Sequence, residues 1–199
     1  MPADGVRPRD RRYDAVVLAG GRARRLGGAD KPGAAVGGRP LIGWVADAVA
    51  GAGRLIVVGP PRPGLPHAVV VREDPPGAGP VPALRAGLAE ARAPWTVLLA
   101  ADLPFLRAPH VAALLDAAGE GGAVLVDQDG REQWLAGCWP TGALRTALAA
   151  YAGGSLRGLL GPLVPVPVSL AAGERPPWYD CDTPDALVHA DRLAAPYDP

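Results

Sequence analysis

The sequence predicts a three-layer α/β domain, in which helices cover both faces of a mostly parallel central sheet. Short runs of β-branched residues alternate along the chain with segments whose apolar residues recur at helical spacing. The apolar runs are continuous rather than alternating, which is typical of central strands that are covered on both faces. Because repeated strand–helix units favour parallel pairing, we expect most strands to run in one direction.

The predicted elements follow one another from residue 13 onwards. Strands are expected in five apolar runs, at residues 13–20, 54–59, 67–73, 95–102 and 122–128. Helices are expected at residues 40–53, 81–92, 108–119 and 141–153. Prolines suit the first turns of two of these helices and glycines suit the ends of two, at Pro40, Pro109, Gly119 and Gly153.

After about residue 130 the strand–helix alternation becomes weaker. Residues 133–139 and 163–170 are expected to form strands near an edge of the sheet, where proline is tolerated. Residues 182–195 are expected to close the chain as a helix. We find no internal repeat, and residues 1–199 fit one domain in which residues 1–12 form a flexible N-terminal extension.

The composition argues against nucleic-acid and membrane partners. The 20 basic residues balance 20 acidic ones, so bulk charge does not hold the chain to an anionic polymer or surface. No apolar run approaches the length of a membrane span, and residues 1–12 lack the apolar segment of a signal peptide. Cys138 and Cys181 form no metal or redox spacing, and we expect them to be buried thiols in a reducing cytoplasm.

A basic, glycine-containing loop follows the first predicted strand, within the stretch VVLAGGRARRLGGADKPG at residues 16–33. Its charged residues are four cations and one acid: Arg22, Arg24, Arg25, Lys31 and Asp30. In a parallel sheet, the carboxyl end of a strand opens into the crevice where ligands bind. Glycines let the backbone approach a ligand closely, so the loop suits a triphosphate. The alternative is a solvated surface turn.

The loop matches neither of two common phosphate-binding motifs. It lacks the G-x-G-x-x-G spacing of a dinucleotide site, and Lys31 is followed by Pro32 instead of the Ser or Thr of a P-loop. Lys31 is also the single lysine of the chain, beside 19 arginines. An ammonium on a flexible stem binds differently from a planar guanidinium. This difference favours a functional role for Lys31 over chance survival in an arginine-rich sequence.

The stretch LAGGRARRLGGADKP resembles the signature of the nucleotidyltransferase family and, more narrowly, that of the molybdenum cofactor guanylyltransferases. The matching positions are Leu18, Ala19, Gly20, Gly21, Arg25, Gly27 and Lys31, and GGRPLI follows in the expected place. The resemblance runs over residues 13–195, thins after residue 130, and implies a Rossmann-like nucleotidyltransferase fold. It also implies that the backbone at Leu18, Ala19, Gly20 and Gly21 contacts the guanine nucleotide, and that Arg25 and Lys31 hold phosphates.

Asp102 ends the fourth predicted strand, and Pro104 prevents that strand from continuing. One carboxylate together with substrate phosphates is a usual way for a protein to hold Mg²⁺. An aspartate in a turn or at a helix cap would have the same local sequence, so the residues alone leave both interpretations open. The resemblance implies that Asp102 binds the metal and the nucleotide.

The stretch VREDPPGAGPVPALRAGL resembles the family's segment of an acid followed by Gly-Pro, which implies that Asp74 contacts the nucleotide beside the turn at residues 79–80. Two positions depart from the family. Residues 82–83 are Pro-Ala where Ala-Gly is common, and Gly59 ends the second strand where a polar side chain is common. Both departures bear on the choice of guanine more than on nucleotide binding itself.

Two further acids, Asp180 and Asp182, are two residues apart in WYDCDTPDAL and therefore share one face of an extended segment. In related nucleotidyltransferases such a segment lies near the metal, which implies Asp182 as a metal ligand or a neighbour of one. Asp182 or Thr183 equally suits the cap of the last helix. Arg157 suits either the phosphate of a second substrate or an exposed helix position.

These residues suit the transfer of a nucleotide to a phosphate. An acceptor phosphate is already an anion, so its attack on the α-phosphorus of GTP needs no general base, and we recognise no Ser-His-Asp or Cys-His arrangement. The remaining tasks are alignment and charge neutralisation, for which Arg25, Lys31 and Mg²⁺ (or Mn²⁺) on Asp102 are suited. The predicted reaction joins GMP to the terminal phosphate of molybdopterin and releases pyrophosphate.

The sequence leaves three alternatives open. The nucleotide could be CTP, although related cytidylyltransferases tend to have LAAG where this chain has LAGG. The acceptor could be another phosphate compound, such as a sugar 1-phosphate or phospholactate. A nucleotide-sensing or scaffold domain would keep the loop without turnover, although the presence of Lys31 and Asp102 argues against it. Other proteins of molybdenum cofactor biosynthesis, or the apo-enzymes that receive the cofactor, are the expected protein partners.

Overall fold

A computed structural model describes residues 11–20, 30–62, 64–171 and 173–194. Within them, seven strands form the central sheet: β1 Tyr13–Leu18, β4 Leu55–Val58, β5 Val69–Val71, β6 Trp95–Ala100, β7 Ala123–Val126, β8 Glu132–Pro140 and β9 Val166–Ser169. A separate hairpin, absent from the sequence prediction, pairs β2 Ala35–Val36 with β3 Arg39–Pro40.

Helices flank the sheet in the three-layer arrangement that the sequence predicts. They are α1 Leu41–Ala48, α2 Pro80–Glu90, α3 Ala108–Ala117, α4 Thr141–Ala150, α5 Leu156–Leu160 and α6 Pro184–Ala194. Every predicted strand and helix is present, with ends that differ by a few residues. The short helix α5 was not predicted, because its five residues are too few to show a helical repeat.

The strand order in the sheet is β5-β4-β1-β6-β8-β7-β9. All pairs are parallel except those of β8, which runs antiparallel to both β6 and β7. From β1 the chain moves to β4 and β5 on one side, and then returns to place β6 on the other side. The strand order therefore reverses between β1 and β6, and ligands of open α/β sheets bind beside such a point.

Two of the predicted strand positions are wrong. β5 was expected in the centre of the sheet but lies at its edge, where Val70 is 37% exposed. Residues 133–139 were expected near an edge, but β8 is internal, with a buried run from Ala136 to Trp139. Its proline, Pro140, stands at the end of the strand and does not interrupt the pairing. β9 is at an edge as predicted, and it contains Pro167.

Successive strand residues supply the two faces of the sheet with separate cores. Val17 and Leu99 pack in the layer that includes α1 and α3, whereas Val16 and Leu98 pack against α2, α4 and α5. Helix α2 lies so close to the sheet that a β-carbon on Gly87 would come within 2.6 Å of Val16 Cγ1. Glycine at this position therefore sets the approach of α2, which carries one wall of the cavity described below.

A third, smaller core joins α6 to the β2–β3 hairpin. It contains Val36, Leu41, Phe105, Cys181 and Ala190, all of them buried. This cluster brings the C-terminal segment back beside the ends of the central strands. Both cysteines of the chain are free and buried, as predicted.

Near the N-terminus, the Arg11 guanidinium donates a hydrogen bond to the Ala118 carbonyl (2.9 Å) and lies 4.3 Å from the centre of the Trp95 ring. Residues 1–10 lie outside the described part of the chain, so the flexible extension stays a prediction. Among the described residues, no helix has the length and apolar character that crossing a membrane would require.

Candidate active site

A cavity of about 1090 Å³ opens at the carboxyl ends of the parallel strands, beside the point where the strand order reverses. Leu18 at the end of β1 and Ala100 at the end of β6 are neighbours in the sheet, and both line the cavity. The chain segments that follow these two strands continue the lining with Gly20 and Asp102. The predicted site residues Leu18, Gly20 and Asp102 therefore lie where the topology creates a crevice.

Three side chains that are far apart in sequence meet at the centre of this site. The Lys31 ammonium forms ion pairs with the carboxylates of Asp102 and Asp182. The Lys31 and Asp102 side chains are 18% and 13% exposed, whereas that of Asp182 is 50% exposed. The structure thus brings together the cation and both candidate metal ligands that the sequence proposed.

The pKa of Lys31 lies above its ordinary value. Partial burial by itself would lower this pKa, but the charge of Asp102 and the hydrogen bonds with Asp102 and Asp182 outweigh burial. Lys31 is therefore protonated at neutral pH, and it lies between two carboxylates.

Asp182 reaches the site because the preceding residue is anchored in the third core. Cys181 is fully buried there, while Asp180 and Asp182 on either side of it both line the cavity. This agrees with the shared face that their spacing predicts. The hydroxyl of Thr183 accepts a hydrogen bond from the Ala186 N–H (3.1 Å), so Thr183 caps α6 and Asp182 is left to pair with Lys31.

Burial also changes the proton affinities around Asp182. Desolvation raises the pKa of the Cys181 thiol to about 12, so this cysteine is not a nucleophile at neutral pH. The cavity wall removes part of the hydration of Asp180, and this loss, together with the charges of Asp182 and Asp102, raises the pKa of Asp180. Among the described residues, Asp180, Asp182 and Asp102 therefore lie close enough together for their charges to interact, and Lys31 lies beside them.

The first part of the glycine loop is described and lies as predicted at the end of β1. Ala19 N–H donates to the Val58 carbonyl (2.8 Å), and Leu18 accepts a hydrogen bond from Ala101 N–H (3.2 Å). Leu18 and Gly20 line the cavity. Residues 21–29 lie outside the described part of the chain, and with them the predicted positions Gly21 and Arg25.

The loop backbone explains the glycine at the end of β4. A β-carbon on Gly59 would lie 2.8 Å from the Ala19 carbonyl oxygen and 3.1 Å from the Gly20 nitrogen. A larger residue at position 59 would therefore push the loop away from the sheet. The polar side chain that the family resemblance led us to expect at this position has no room here.

The acidic pair after β5 is divided between the cavity and the solvent. Glu73 is 6% exposed and lines the cavity, whereas Asp74 is exposed and is not among the lining residues. The nucleotide contact predicted for Asp74 stays a prediction. Sequence reasoning missed Glu73, although its position directly after an apolar strand was a signal that could have identified it.

The opposite wall of the cavity comes from β8, which sequence reasoning did not assign to the site, and from α5, whose Arg157 it considered for the phosphate of a second substrate. Because β8 is antiparallel, its first residues, Glu132 to Ala136, lie at the edge of the sheet where its neighbours end. Trp134 and Trp178 add two indole rings, and Arg157 on α5 adds an exposed cation. The place of β8 between β6 and β7 is what brings these side chains to the site.

The acidic residues fit a site that holds Mg²⁺ jointly with a substrate. Among the described residues, no three His, Cys, Asp or Glu side chains surround a point that could hold an ion by themselves. However, one or two carboxylates plus phosphate oxygens are sufficient for Mg²⁺. Asp102 and Asp182 already converge on one cation, the Lys31 ammonium, so their carboxylates can meet at a common charge.

Comparisons with known proteins show the family of this chain. A family model, the MobA-like NTP transferase domain, matches residues 15–166. The molybdenum cofactor guanylyltransferase of Cereibacter sphaeroides is 35% identical over 152 residues, which are 71% of this chain and 76% of the relative. A guanylyltransferase of the same name from Bradyrhizobium sp. (strain ORS 278) is 33% identical over 195 residues, which are 90% of this chain and 92% of the relative.

The fold is likewise that of a known structure. Molybdopterin-guanine dinucleotide biosynthesis protein A from Archaeoglobus fulgidus superposes with a TM-score of 0.67 at 18% identity, over 90% of this chain and 97% of its own. The family model extends from β1 to the start of β9 and includes both Lys31 and Asp102. The chain belongs to the MobA-like NTP transferase family.

Proposed function

We propose that this protein transfers GMP from GTP to the terminal phosphate of molybdopterin and releases pyrophosphate. The observation that carries the proposal is the ion pairing of Lys31 with Asp102 and Asp182 inside a cavity at the reversal point of the sheet. Two relatives that carry the name molybdenum cofactor guanylyltransferase support the choice of nucleotide and acceptor.

In the proposed reaction, an oxygen of the acceptor phosphate attacks the α-phosphorus of GTP. The bond between this phosphorus and the oxygen that bridges it to the β-phosphate breaks, and pyrophosphate leaves with that oxygen. The acceptor oxygen is already anionic, so no side chain has to remove a proton. This suits a cavity whose described lining contains no histidine.

The residues at the centre then have charge-neutralising roles. Asp102 and Asp182 would hold Mg²⁺, which when bound neutralises phosphate charge. Lys31 is released from the two aspartates and is free to bind phosphate oxygens as a point charge. The arrival of the triphosphate would thus exchange one set of ion pairs of Lys31, Asp102 and Asp182 for another.

The cavity is large enough for both substrates. Glu73 lies after the edge strand β5, and Trp134 lies on β8, four strands away in the sheet order. With neighbouring strands roughly 4.8 Å apart, the two ends are separated by about 19 Å. We place the nucleotide on the β5–β1 side, where the glycine loop lies, and the pterin on the β8 side, where Trp134 and Trp178 offer aromatic surfaces.

The test is pyrophosphate release from GTP, CTP, ATP and UTP, each measured with Mg²⁺ and with or without molybdopterin. We expect release that requires molybdopterin and is fastest with GTP. Fastest release with CTP would replace guanylyl by cytidylyl transfer. Nucleotide binding without any release, with molybdopterin present, would favour a sensing or scaffold role and would refute the proposed function.

A further inference from the structure

We propose that Glu73 is the residue that selects guanine, by accepting hydrogen bonds from the N1–H and the 2-amino group of the base. This inference rests on the proposed function, because it concerns how the same cavity chooses GTP. It assigns a specificity-determining role to a side chain beside the predicted contact Asp74, which itself is exposed.

The placement of Glu73 is unusual for a charged residue. It is 6% exposed, and it lines the cavity after the edge strand β5. One carboxylate oxygen, Oε1, accepts a hydrogen bond from the Gly77 N–H at 2.8 Å. The other oxygen, Oε2, is buried and has no hydrogen-bond partner among the described residues. A buried carboxylate oxygen without a partner is costly, which suggests that a ligand completes its bonding.

Glu73 also lies against the part of the loop that is expected to contact the base. A β-carbon on Gly20 would lie 3.6 Å from Glu73 Oε1 and 3.8 Å from Oε2. The remaining neighbours of this end of the cavity are largely apolar or backbone, and include Leu18, Pro80 and Ala83. A planar base can therefore pack between these apolar groups while its polar edge meets the carboxylate.

The chemistry of a carboxylate singles out guanine among the four common bases. An ionised carboxylate only accepts hydrogen bonds, and the guanine edge presents two adjacent donors, N1–H and the 2-amino group. Adenine and cytosine present one donor next to a ring nitrogen that accepts, and uracil presents one donor between two carbonyl oxygens. In those bases an acceptor atom would face a carboxylate oxygen of Glu73 with no proton between them. Each of these bases would therefore form one hydrogen bond fewer than guanine, and its acceptor would be repelled by the carboxylate.

The residue that follows β4 is a glycine, so it has no side chain with which to contact the base. The Ala19–Gly20 backbone fills the space around Gly59. Glu73, which follows the neighbouring strand β5, lies within reach of that backbone. We infer that base recognition is carried by Glu73 after β5 instead of by a side chain after β4.

The test compares nucleotide affinities by calorimetry with Mg²⁺ and without acceptor, for the wild type and for Glu73→Gln. The glutamine amide keeps one acceptor and gains a donor, so it matches xanthine, which has a carbonyl in place of the guanine 2-amino group. We expect Glu73→Gln to bind GTP at least roughly tenfold more weakly and XTP more tightly than the wild type does. Glu120→Gln, an exposed glutamate outside the cavity, should bind both as the wild type does.

The outcomes separate this inference from the proposed function. A wild type that prefers CTP overturns guanylyl transfer, and the role of Glu73 with it. The role of Glu73 alone is overturned if the wild type prefers GTP and the folded Glu73→Gln variant has the same ratio of GTP affinity to XTP affinity as the wild type. A merely structural role would weaken both nucleotides equally.

Two further measurements decide the matter if Glu73→Gln does not fold. The wild type should bind ITP, which lacks only the 2-amino group, about tenfold more weakly than GTP. Glu73→Asp, which keeps the charge but withdraws it by one methylene, should weaken GTP more than ITP, because GTP has two hydrogen bonds to the carboxylate to lose and ITP has only the one from N1–H. Equal wild-type affinities for GTP and ITP, or equal losses for both in Glu73→Asp, would contradict the proposal.

Discussion

The two halves of the cavity are lined by different kinds of structural element and side chain. The half beside β1 and β5 consists of loop backbone, small residues and a few charged side chains at the ends of parallel strands, among them Lys31 and Asp102. The half beside β8 consists of a strand that runs the other way, a short helix, and large side chains such as Trp134 and Arg157. The first half suits a triphosphate and the second suits a bulky acceptor.

The difference teaches where specificity for each substrate resides. In the first half, main-chain pairing and ion pairs fix the positions of the lining residues. Under the proposed function, a substitution there would displace the phosphates of GTP. The second half depends on side chains that are partly exposed, so a single change there weakens binding of one substrate only. The predictions below test this division, beginning with the largest expected effect.

Asp102→Ala should abolish turnover and leave the fold intact. The variant removes a carboxylate from the transferring phosphoryl group but leaves the apolar residues of β6 unchanged. We expect a loss of at least a hundredfold in kcat/KM, or about 3 kcal/mol of barrier, in a pyrophosphate-release assay. Asp116→Ala, an exposed aspartate on α3, serves as the control and should keep full activity. Near-normal turnover with an unchanged Mg²⁺ requirement would refute the role of Asp102.

Lys31→Arg tests whether the first half needs a point charge or only a positive charge. The guanidinium of arginine keeps the positive charge that pairs with both aspartates, but it is planar where the ammonium of lysine is compact. It should therefore misplace the triphosphate. We expect a loss of activity on the order of tenfold, worth about 1.4 kcal/mol, with little change in Tm. Arg131→Lys, at a side chain that is 77% exposed, is the reciprocal control and should be silent.

Full activity in Lys31→Arg would mean that the single lysine is an accident of composition. A large fall in Tm would instead point to a structural role for the ion pairs of Lys31. Either result would contradict the idea that activity depends more on exact side-chain geometry in the nucleotide half than in the acceptor half.

Arg157→Ala should affect the acceptor half alone. Its guanidinium is exposed at the cavity wall, so a phosphate contact there is worth less than a buried one. We expect the KM for molybdopterin to rise by roughly fivefold while the KM for GTP stays constant. Arg192→Ala, also exposed but on α6 and outside the cavity lining, should change neither constant. Equal rises in both KM values would contradict the division between the two halves.

The sequence predicted the first half of the cavity much better than the second. Lys31, Asp102 and Asp182 could be proposed because short stretches that resemble the family's motifs carry them, and the parallel pairing of β1 with β6 places Asp102 beside the end of β1. Trp134 belongs to the site only because β8 enters the sheet between β6 and β7 in the antiparallel direction. That placement depends on contacts between distant segments, which local periodicity does not report.

Glu73 and Asp74 show the same limit at the scale of one residue. Neighbouring residues after a strand point in different directions, and here Glu73 is the one that lies beside Gly20 and accepts a hydrogen bond from the Gly77 N–H. The family pattern favoured Asp74, whereas the structure buries Glu73. Sequence motifs thus located the acidic pair, but not which member lines the cavity.

The smallest expected effect concerns the aspartates at the junction of the two halves. Asp180 has a raised pKa because the cavity wall removes part of its hydration and because Asp182 and Asp102 lie near it. A carboxyl whose pKa is higher in the folded than in the unfolded state destabilises the fold when it is ionised. This destabilisation is present at neutral pH and disappears as the pH falls below the pKa of the unfolded carboxyl, about 3.9.

Asp180→Asn should therefore raise Tm in the absence of metal and nucleotide by roughly 1–2 °C at pH 7, since the group keeps solvent access. The gain should shrink as the pH is lowered and vanish at about pH 3, where the wild-type carboxyl is protonated in both states. Thermal melts of both proteins from pH 7 to pH 3 measure this difference, with Asp116→Asn as the control for a carboxyl outside the site. A gain in Tm that is the same at pH 7 and pH 3 would mean that Asp180 acts through packing instead of charge. Repulsion between Asp180 and the neighbouring aspartates would then not destabilise the protein before the substrates bind.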